Sequence, residues 1–104
     1  MAWLILAVSG VFESVWAIAL GKSEGFTRLW PTVVFLVALV ISMGGLAWAM
    51  RELPLGTAYA VWVGIGATLT VAYGMVFDGD PATPLRMLFL ALIVGGIVGL
   101  KALA

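Results

Sequence analysis

The chain has no cysteine and no histidine among its 104 residues. Their absence excludes disulfide scaffolds, thiol chemistry and most zinc sites, so we expect neither a metal nor a cofactor. We also expect no enzyme, because no nucleophile–base pair can be assembled from the remaining side chains. Charge is scarce as well: 10% of the side chains are charged, five of each sign, whereas an average globular chain is about 25% charged. Nucleic acid is excluded as a partner because its binding requires clustered lysine and arginine.

Long apolar runs take the place of charge. The composition is 64% hydrophobic with a mean hydropathy of +1.23. Between Arg28 and Arg51 lie 22 uncharged residues, and between Glu52 and Asp78 lie 25. A membrane-spanning helix needs about 20 predominantly apolar residues. We therefore predict an all-α membrane protein with one transmembrane domain over residues 1–104, and helices at approximately 2–21, 29–50, 54–77 and 84–104.

The ends of the third and fourth helices carry recognisable local patterns. Pro54 suits the first turn of the third helix, because its missing N–H is not needed there. The segment 78–81, Asp-Gly-Asp-Pro, has the composition of a turn. Thr83 is a suitable N-cap for a helix that begins with Pro84. At the other end of the chain, 17–19 resembles a signal-peptide cleavage site, but no basic residue precedes the apolar stretch, so we expect the first helix to be retained.

Basic residues are divided almost evenly between the two sides of the membrane. Four spans place Arg51 and Lys101 on one side, and Lys22, Arg28 and Arg86 on the other. An excess of lysine and arginine normally sets the orientation of a membrane protein. Its near absence predicts insertion in both orientations and pairing as an antiparallel homodimer. The alternative is that a small bias suffices to fix one orientation.

Glu13 interrupts the first apolar run. It lies about 16 Å along the helix from Ala2, near the middle of the bilayer. A central acidic residue costs about 2.5–3.5 kcal/mol on insertion scales, so carboxylates at this depth are usually functional. A carboxyl group that exchanges a proton for a cation in one cavity suits proton-coupled cation transport. The alternative is that Glu13 lies at the end of a tilted helix, or that Lys101 neutralises its charge in a structural role.

Helical spacing predicts which residues accompany Glu13. Gly10 lies one turn away on the same stripe and would leave room beside the carboxylate, with Trp16 flanking it. Tyr59 and Trp62 share a stripe on the third helix, where their rings could attract a cation.

Two groups of glycines predict helix bending and helix contact. Gly64 and Gly66 lie within the third helix and predict a point where it can bend during transport. Gly95, Gly96 and Gly99 form a small-residue face on the fourth helix. Such faces allow close helix packing, and this one is predicted to be part of the dimer interface.

Taken together, Glu13 and the run 53–66, LPLGTAYAVWVGIG, resemble the small multidrug resistance family over essentially the whole chain. The resemblance implies four-helix subunits, an antiparallel dual-topology dimer, a bacterial inner-membrane location, and proton-coupled export through paired Glu13 carboxylates. Protons would be the coupling ion.

Within that family the chain is similar to the guanidinium exporter subtype, at Gly10, Trp16, Ser42 and Lys101. The resemblance implies that Glu13 binds substrate or proton. Ser42, Trp62 and Trp16 would be its hydrogen-bonding neighbours, Tyr59 would line the site, and Lys101 would mark the subtype. The chain departs from the subtype pattern at Ser14, at Val63 and in the Gly21-Lys22 pair.

The predicted function is therefore proton-coupled export of guanidinium-type cations. One alternative keeps the fold and changes the substrate to quaternary ammonium or other hydrophobic cations. A second is a non-transporting small membrane subunit whose glutamate pairs with a partner helix, and a third is a pore without proton coupling.

Overall fold

A computed structural model of the chain describes residues 1–103, which form four α-helices. They are α1 (Ala2–Lys22), α2 (Leu29–Ala49), α3 (Leu55–Phe77) and α4 (Pro84–Leu103). Each is long and apolar enough to cross a membrane, which confirms the prediction of four spans. Residue 104, the predicted end of the fourth helix, lies outside the described residues.

Local chemistry accounts for where the last two helices begin. Pro54 immediately precedes α3 instead of forming its first turn, with φ −56° and ψ 138°. Its carbonyl still accepts the Ala58 N–H at 2.9 Å. Before α4, the predicted cap is formed: the Thr83 hydroxyl accepts a hydrogen bond from the Arg86 backbone N–H at 3.2 Å. The preceding turn has Gly79 at φ +74°, a conformation that glycine adopts without steric cost.

The helices pack in the spatial order α2, α1, α3, α4. α1 contacts both α2 and α3, whereas among the described residues the backbone of α4 approaches only α3. The molecule is a flat layer of 41 × 35 × 17 Å. Because α2 reverses the chain direction between them, α1 and α3 run parallel. The core lies where α1, α2 and α3 meet, and its buried members are Leu6, Leu46, Ala49, Ala58, Val61 and Trp62.

Small residues bring the helices into contact. Lipid tails are as apolar as leucine, so helix association in a bilayer depends on close packing more than on removing apolar surface from water. Gly45 of α2 faces Ser9 of α1 so closely that a Cβ at 45 would overlap the Ser9 hydroxyl. Gly64 of α3 faces Ile97 of α4, whose Cδ1 lies 2.9 Å from where a Cβ at 64 would be.

Candidate functional site

Glu13 lies midway along α1 and packs against α3 at Gly66. A Cβ at 66 would overlap the Glu13 carboxyl group, so only a glycine leaves the carboxyl its present position. The Glu13 Oε2 atom is buried and has no hydrogen-bond partner within residues 1–103. A buried polar atom without a partner is costly, and each such atom requires an explanation. The carboxyl group therefore has unused capacity to take up a proton or to bind a cation.

A buried hydrogen-bonded chain crosses three helices beside Glu13. The Trp62 indole N–H donates to Ser42 Oγ at 3.1 Å, and the Ser42 hydroxyl donates to the Ser9 carbonyl at 2.8 Å. In a regular α-helix the Ser9 carbonyl also accepts the Glu13 N–H. Ser42, which has no exposed surface, thus bonds to the backbone one turn before Glu13. The roles of Ser42 and Trp62 as direct partners of the carboxyl group stay predictions.

The aromatic residues that were predicted to accompany Glu13 lie on α1 and α3, the two helices that meet at its carboxyl group. The rings of Tyr59 and Trp62 are 5.8 Å apart with an interplanar angle of 36°. Trp62 is buried and Tyr59 is exposed, so the pair extends from the core to the molecular surface. The Trp16 ring packs edge-on against Phe35 at 6.0 Å. Its indole N–H is buried and has no partner within the described chain, which leaves a free donor three residues from Glu13.

Gly10 brings two helices together and leaves little open space. Ile65 Cγ2 lies 2.8 Å, and the Trp62 carbonyl oxygen 3.4 Å, from where a Cβ at 10 would be. The room that the sequence predicted beside the carboxylate is therefore filled by Ile65. Gly64 and Gly66 also lie where α3 closely contacts α4 and α1, respectively, and α3 is an unbroken helix at both positions. Bending of α3 there stays a prediction.

The predicted dimer face lies in open space. Apart from the backbone of α4 itself, no heavy atom of residues 1–103 lies within 4 Å of where a Cβ would be at Gly95, Gly96 or Gly99. α4 has no buried residue in the described chain. These glycines therefore contribute nothing to packing between the helices of one subunit.

Lys101 contacts α1. Its ammonium group lies 5.7 Å from the centroid of the Trp3 ring, within the range of a cation–π interaction. Within residues 1–103 of one chain, Lys101 forms no ion pair with Glu13, so the alternative in which it neutralises that charge gains no support there. Lys101 is directed to Trp3, and the one ion pair in residues 1–103 joins Lys22 to Asp78 at 3.5 Å.

Sequence reasoning missed a polar cavity at the far end of α1 and α3. The cavity has a volume of about 420 Å³ and extends along α1 from about one to two and a half turns beyond Glu13. Spacing could have located it, because Thr70 and Gly74 continue the stripe of Gly66 at intervals of four residues. Its lining residues are Ala17, Ile18, Gly21, Lys22, Thr70, Tyr73, Gly74, Asp78 and Asp80.

Residues 1–103 thus form four spanning helices, with a buried carboxyl oxygen that has no partner among them midway along α1, and an aromatic pair on α3, the helix against which that carboxyl packs. This combination is typical of small membrane transporters. The family model described as Small Multidrug Resistance protein matches residues 1–93. The chain belongs to this family and is a multi-pass protein of the bacterial inner membrane.

Relatives in several bacteria are similar over almost their whole length. A guanidinium exporter of Escherichia coli strain K12 is 52% identical over 101 residues, covering 97% of this chain and 96% of the relative. Guanidinium exporters of Citrobacter freundii and Salmonella typhimurium are each 50% identical over the same shares. These relatives are named as exporters, which are transporters and not enzymes.

Proposed function

We propose that the protein exports guanidinium-type cations in exchange for protons, with Glu13 as the group that both bind. The observation that carries the proposal is the buried Glu13 Oε2 atom, which has no hydrogen-bond partner in residues 1–103 and lies midway along a spanning helix. Half-identical relatives named guanidinium exporters support the choice of substrate. No enzymatic activity, cofactor or metal is part of the proposal.

The chemistry of the site suits a flat cation that carries hydrogen-bond donors. Guanidinium pairs with a carboxylate through two parallel N–H···O bonds. The faces of Tyr59 and Trp62 add cation–π attraction. A tetraalkylammonium ion donates no such hydrogen bonds, so it gains less from the carboxyl group. One carboxyl group holds either a proton or the cation, and this competition exchanges one for the other across the membrane.

We further propose that the working unit is an antiparallel homodimer. Three observations support it: α4 has no buried residue in the described chain, Gly95 and Gly99 have open space around them, and the basic residues show almost no side preference. A second copy packed on the glycine face would bury α4. It would also bring a second Glu13 into the assembly.

The function is tested by electrical recording from proteoliposomes. Wild-type protein is expected to give a current with guanidinium and little with tetrapropylammonium. An imposed proton gradient should drive guanidinium accumulation. Glu13→Gln should abolish both, because the amide can neither release a proton nor neutralise a cation. Glu52→Gln makes the same chemical change in the loop before α3 and should leave transport intact.

The outcomes separate the candidate functions. Equal currents with both cations would favour the hydrophobic-cation exporter. Flux without proton coupling would indicate a pore. Coupled accumulation that survives Glu13→Gln would contradict the proposed mechanism, and silent, well-folded wild-type protein would favour the non-transporting subunit.

The absence of cysteine allows a direct test of the antiparallel arrangement. A single cysteine introduced as Glu52→Cys is labelled in intact cells with a membrane-impermeant maleimide. Dual insertion predicts that about half of the protein reacts from outside and the rest only after the membrane is opened. Complete labelling or complete protection in intact cells would establish one orientation and contradict this part of the proposal.

A further inference from the structure

At the end of α1, Lys22 holds its positive charge over the aromatic ring of Tyr73 in α3. Its Nζ lies 3.5 Å from Asp78 Oδ1 and 5.4 Å from the centroid of the Tyr73 ring. A carboxylate and an aromatic face together are a combination that holds organic cations. The ammonium group of Lys22 therefore stands where a mobile cation of similar size would be bound.

This position is the mouth of a groove between α1 and α3, formed by the polar cavity that begins one turn beyond Glu13. α1 and α3 run parallel, so the contact between Glu13 and Gly66 is followed, one turn further on, by Ala17 and Thr70. Both line the polar cavity that ends at Lys22 and Asp78. Lys22 lies nine positions after Glu13 in α1, about 13 Å along the axis.

Asp80 adds a second carboxylate to the mouth. A Cβ at Gly74 would overlap its carboxyl group, so Asp80 lies directly against α3 at the edge of the cavity. Asp80 is exposed and takes no part in the Lys22–Asp78 ion pair. Two acidic groups therefore face one lysine at the opening.

The Lys22–Asp78 pair is open to exchange. The two side chains are 46% and 48% exposed. Exposed ion pairs are weak, because water and salt compete for both partners. Such a pair contributes little to holding the helices together, and a cation from solution can displace its lysine.

We propose that Lys22 is a tethered cation that occupies the mouth of the α1–α3 groove, and that the exported cation displaces it when passing between Glu13 and water on this side. The inference rests on the proposed function and adds Lys22, Asp78 and Tyr73 to it as residues that set the apparent affinity. Lys22 competes with the substrate, whereas Asp78 and Tyr73 attract it.

Two substitutions that break the same ion pair distinguish this role from a structural one. Lys22→Met removes the competitor and leaves both carboxylates, so the KM for guanidinium should fall by roughly two- to fivefold. Asp78→Asn removes an attracting group and leaves the competitor, so the KM should rise by a similar factor. The maximal rate should change little in either variant, because Glu13 is untouched.

Matched controls account for surface charge and folding. Arg28→Met and Glu24→Gln make the same charge changes in the neighbouring loop, outside the cavity, and should leave the KM nearly unchanged. Lys22→Arg keeps the tethered cation and should keep a KM near the wild-type value. Elution as a single species on size-exclusion chromatography verifies that each variant folds, and Lys22→Gln replaces Lys22→Met if that protein aggregates.

Each result has one interpretation. KM changes of opposite sign support the tethered cation. Changes of the same sign in Lys22→Met and Asp78→Asn would mean that the ion pair is only structural, and unchanged KM values would place the transport path elsewhere. Either result overturns the inference while leaving the Glu13-dependent current of the proposed function in place. Loss of that current from wild-type protein would instead contradict the proposed function itself.

Discussion

The Glu13 carboxyl group occupies the volume in which a side chain at Gly66 would begin. The present position of the Glu13 carboxyl group therefore depends on the absence of a side chain at residue 66. The overlapping atoms belong to the end of a flexible side chain, so a larger residue at 66 would displace the carboxyl group without forcing the two helices apart. This relationship ties the position of the proposed binding group to a glycine on a different helix.

Gly66→Ala is expected to reduce guanidinium transport at least tenfold with little loss of stability. The added methyl group would move the carboxyl away from its present position, and small misplacements of a reacting group are costly. Proteoliposome currents and thermal unfolding in detergent measure the two effects. Gly56→Ala is the matched control, because no atom lies within 4 Å of its added Cβ. Equal currents in both variants would contradict the positioning role of Gly66.

Ser42→Ala is expected to destabilise the protein by about 1–2 kcal/mol. The change removes the hydroxyl that bonds to the Ser9 carbonyl, and it leaves the buried Trp62 indole N–H without its acceptor. Unfolding with denaturing detergent measures the difference. Ser14→Ala is the control: Ser14 is also buried, but within residues 1–103 its hydroxyl bonds only to the Val11 carbonyl of the same helix. Equal losses in both variants would mean that the chain across three helices adds no stability.

Gly45→Ala and Gly44→Ala should differ although the two positions are adjacent. A Cβ at 45 would overlap the Ser9 hydroxyl, which would have to leave its 2.7 Å bond to the Ile5 carbonyl, whereas a Cβ at 44 meets nothing within 4 Å. Overpacking predicts a loss of about 1–3 kcal/mol for Gly45→Ala alone. Adding Ser9→Ala should recover part of that loss in the same unfolding assay. No recovery would show that the cost arises elsewhere.

Gly99→Leu is expected to shift the protein from dimer to monomer. The residue lies in open space within one subunit, so a larger side chain there should not disturb the fold, but it would hold a second helix away. Single-molecule photobleaching in lipid vesicles counts the subunits. Val98→Leu enlarges an adjacent exposed side chain and serves as the control. A stable Gly99→Leu dimer would place the interface on another face of the molecule.

Much of the fold could be predicted because charge is so scarce in this chain. The few charged residues mark the ends of the apolar runs, and desolvating a charge is costly enough to place those ends at the membrane surface. Turn chemistry at Gly79 and the cap at Thr83 are equally local, so they too are readable from short stretches. The start of α3 differed by one residue, because Pro54 sits just outside the helix and not in its first turn.

The site could be predicted only in part. Glu13 is conspicuous because an isolated carboxylate in an apolar run has a high insertion cost. The contacts of Ser42 could not be predicted in the same way: its hydroxyl bonds to the Ser9 carbonyl, one turn before Glu13, and helical spacing does not specify that partner. Gly10 was predicted to leave room, but Ile65 fills it. Such outcomes depend on how two helices are rotated against each other, which helical spacing does not specify.

The four membrane spans and the carboxylate at mid-membrane depth follow from the amino-acid sequence alone, because hydropathy and charge act on each helix separately. Which residues meet is known only from the packed helices: Glu13 contacts Gly66, Trp62 contacts Ser42 and Lys22 contacts Asp78. The first two pairs join different helices, and the third joins the end of α1 to the turn that follows α3. The partners are 20 residues or more apart in the chain. Packing between helices fixes such contacts, and no pattern within a single helix contains that information.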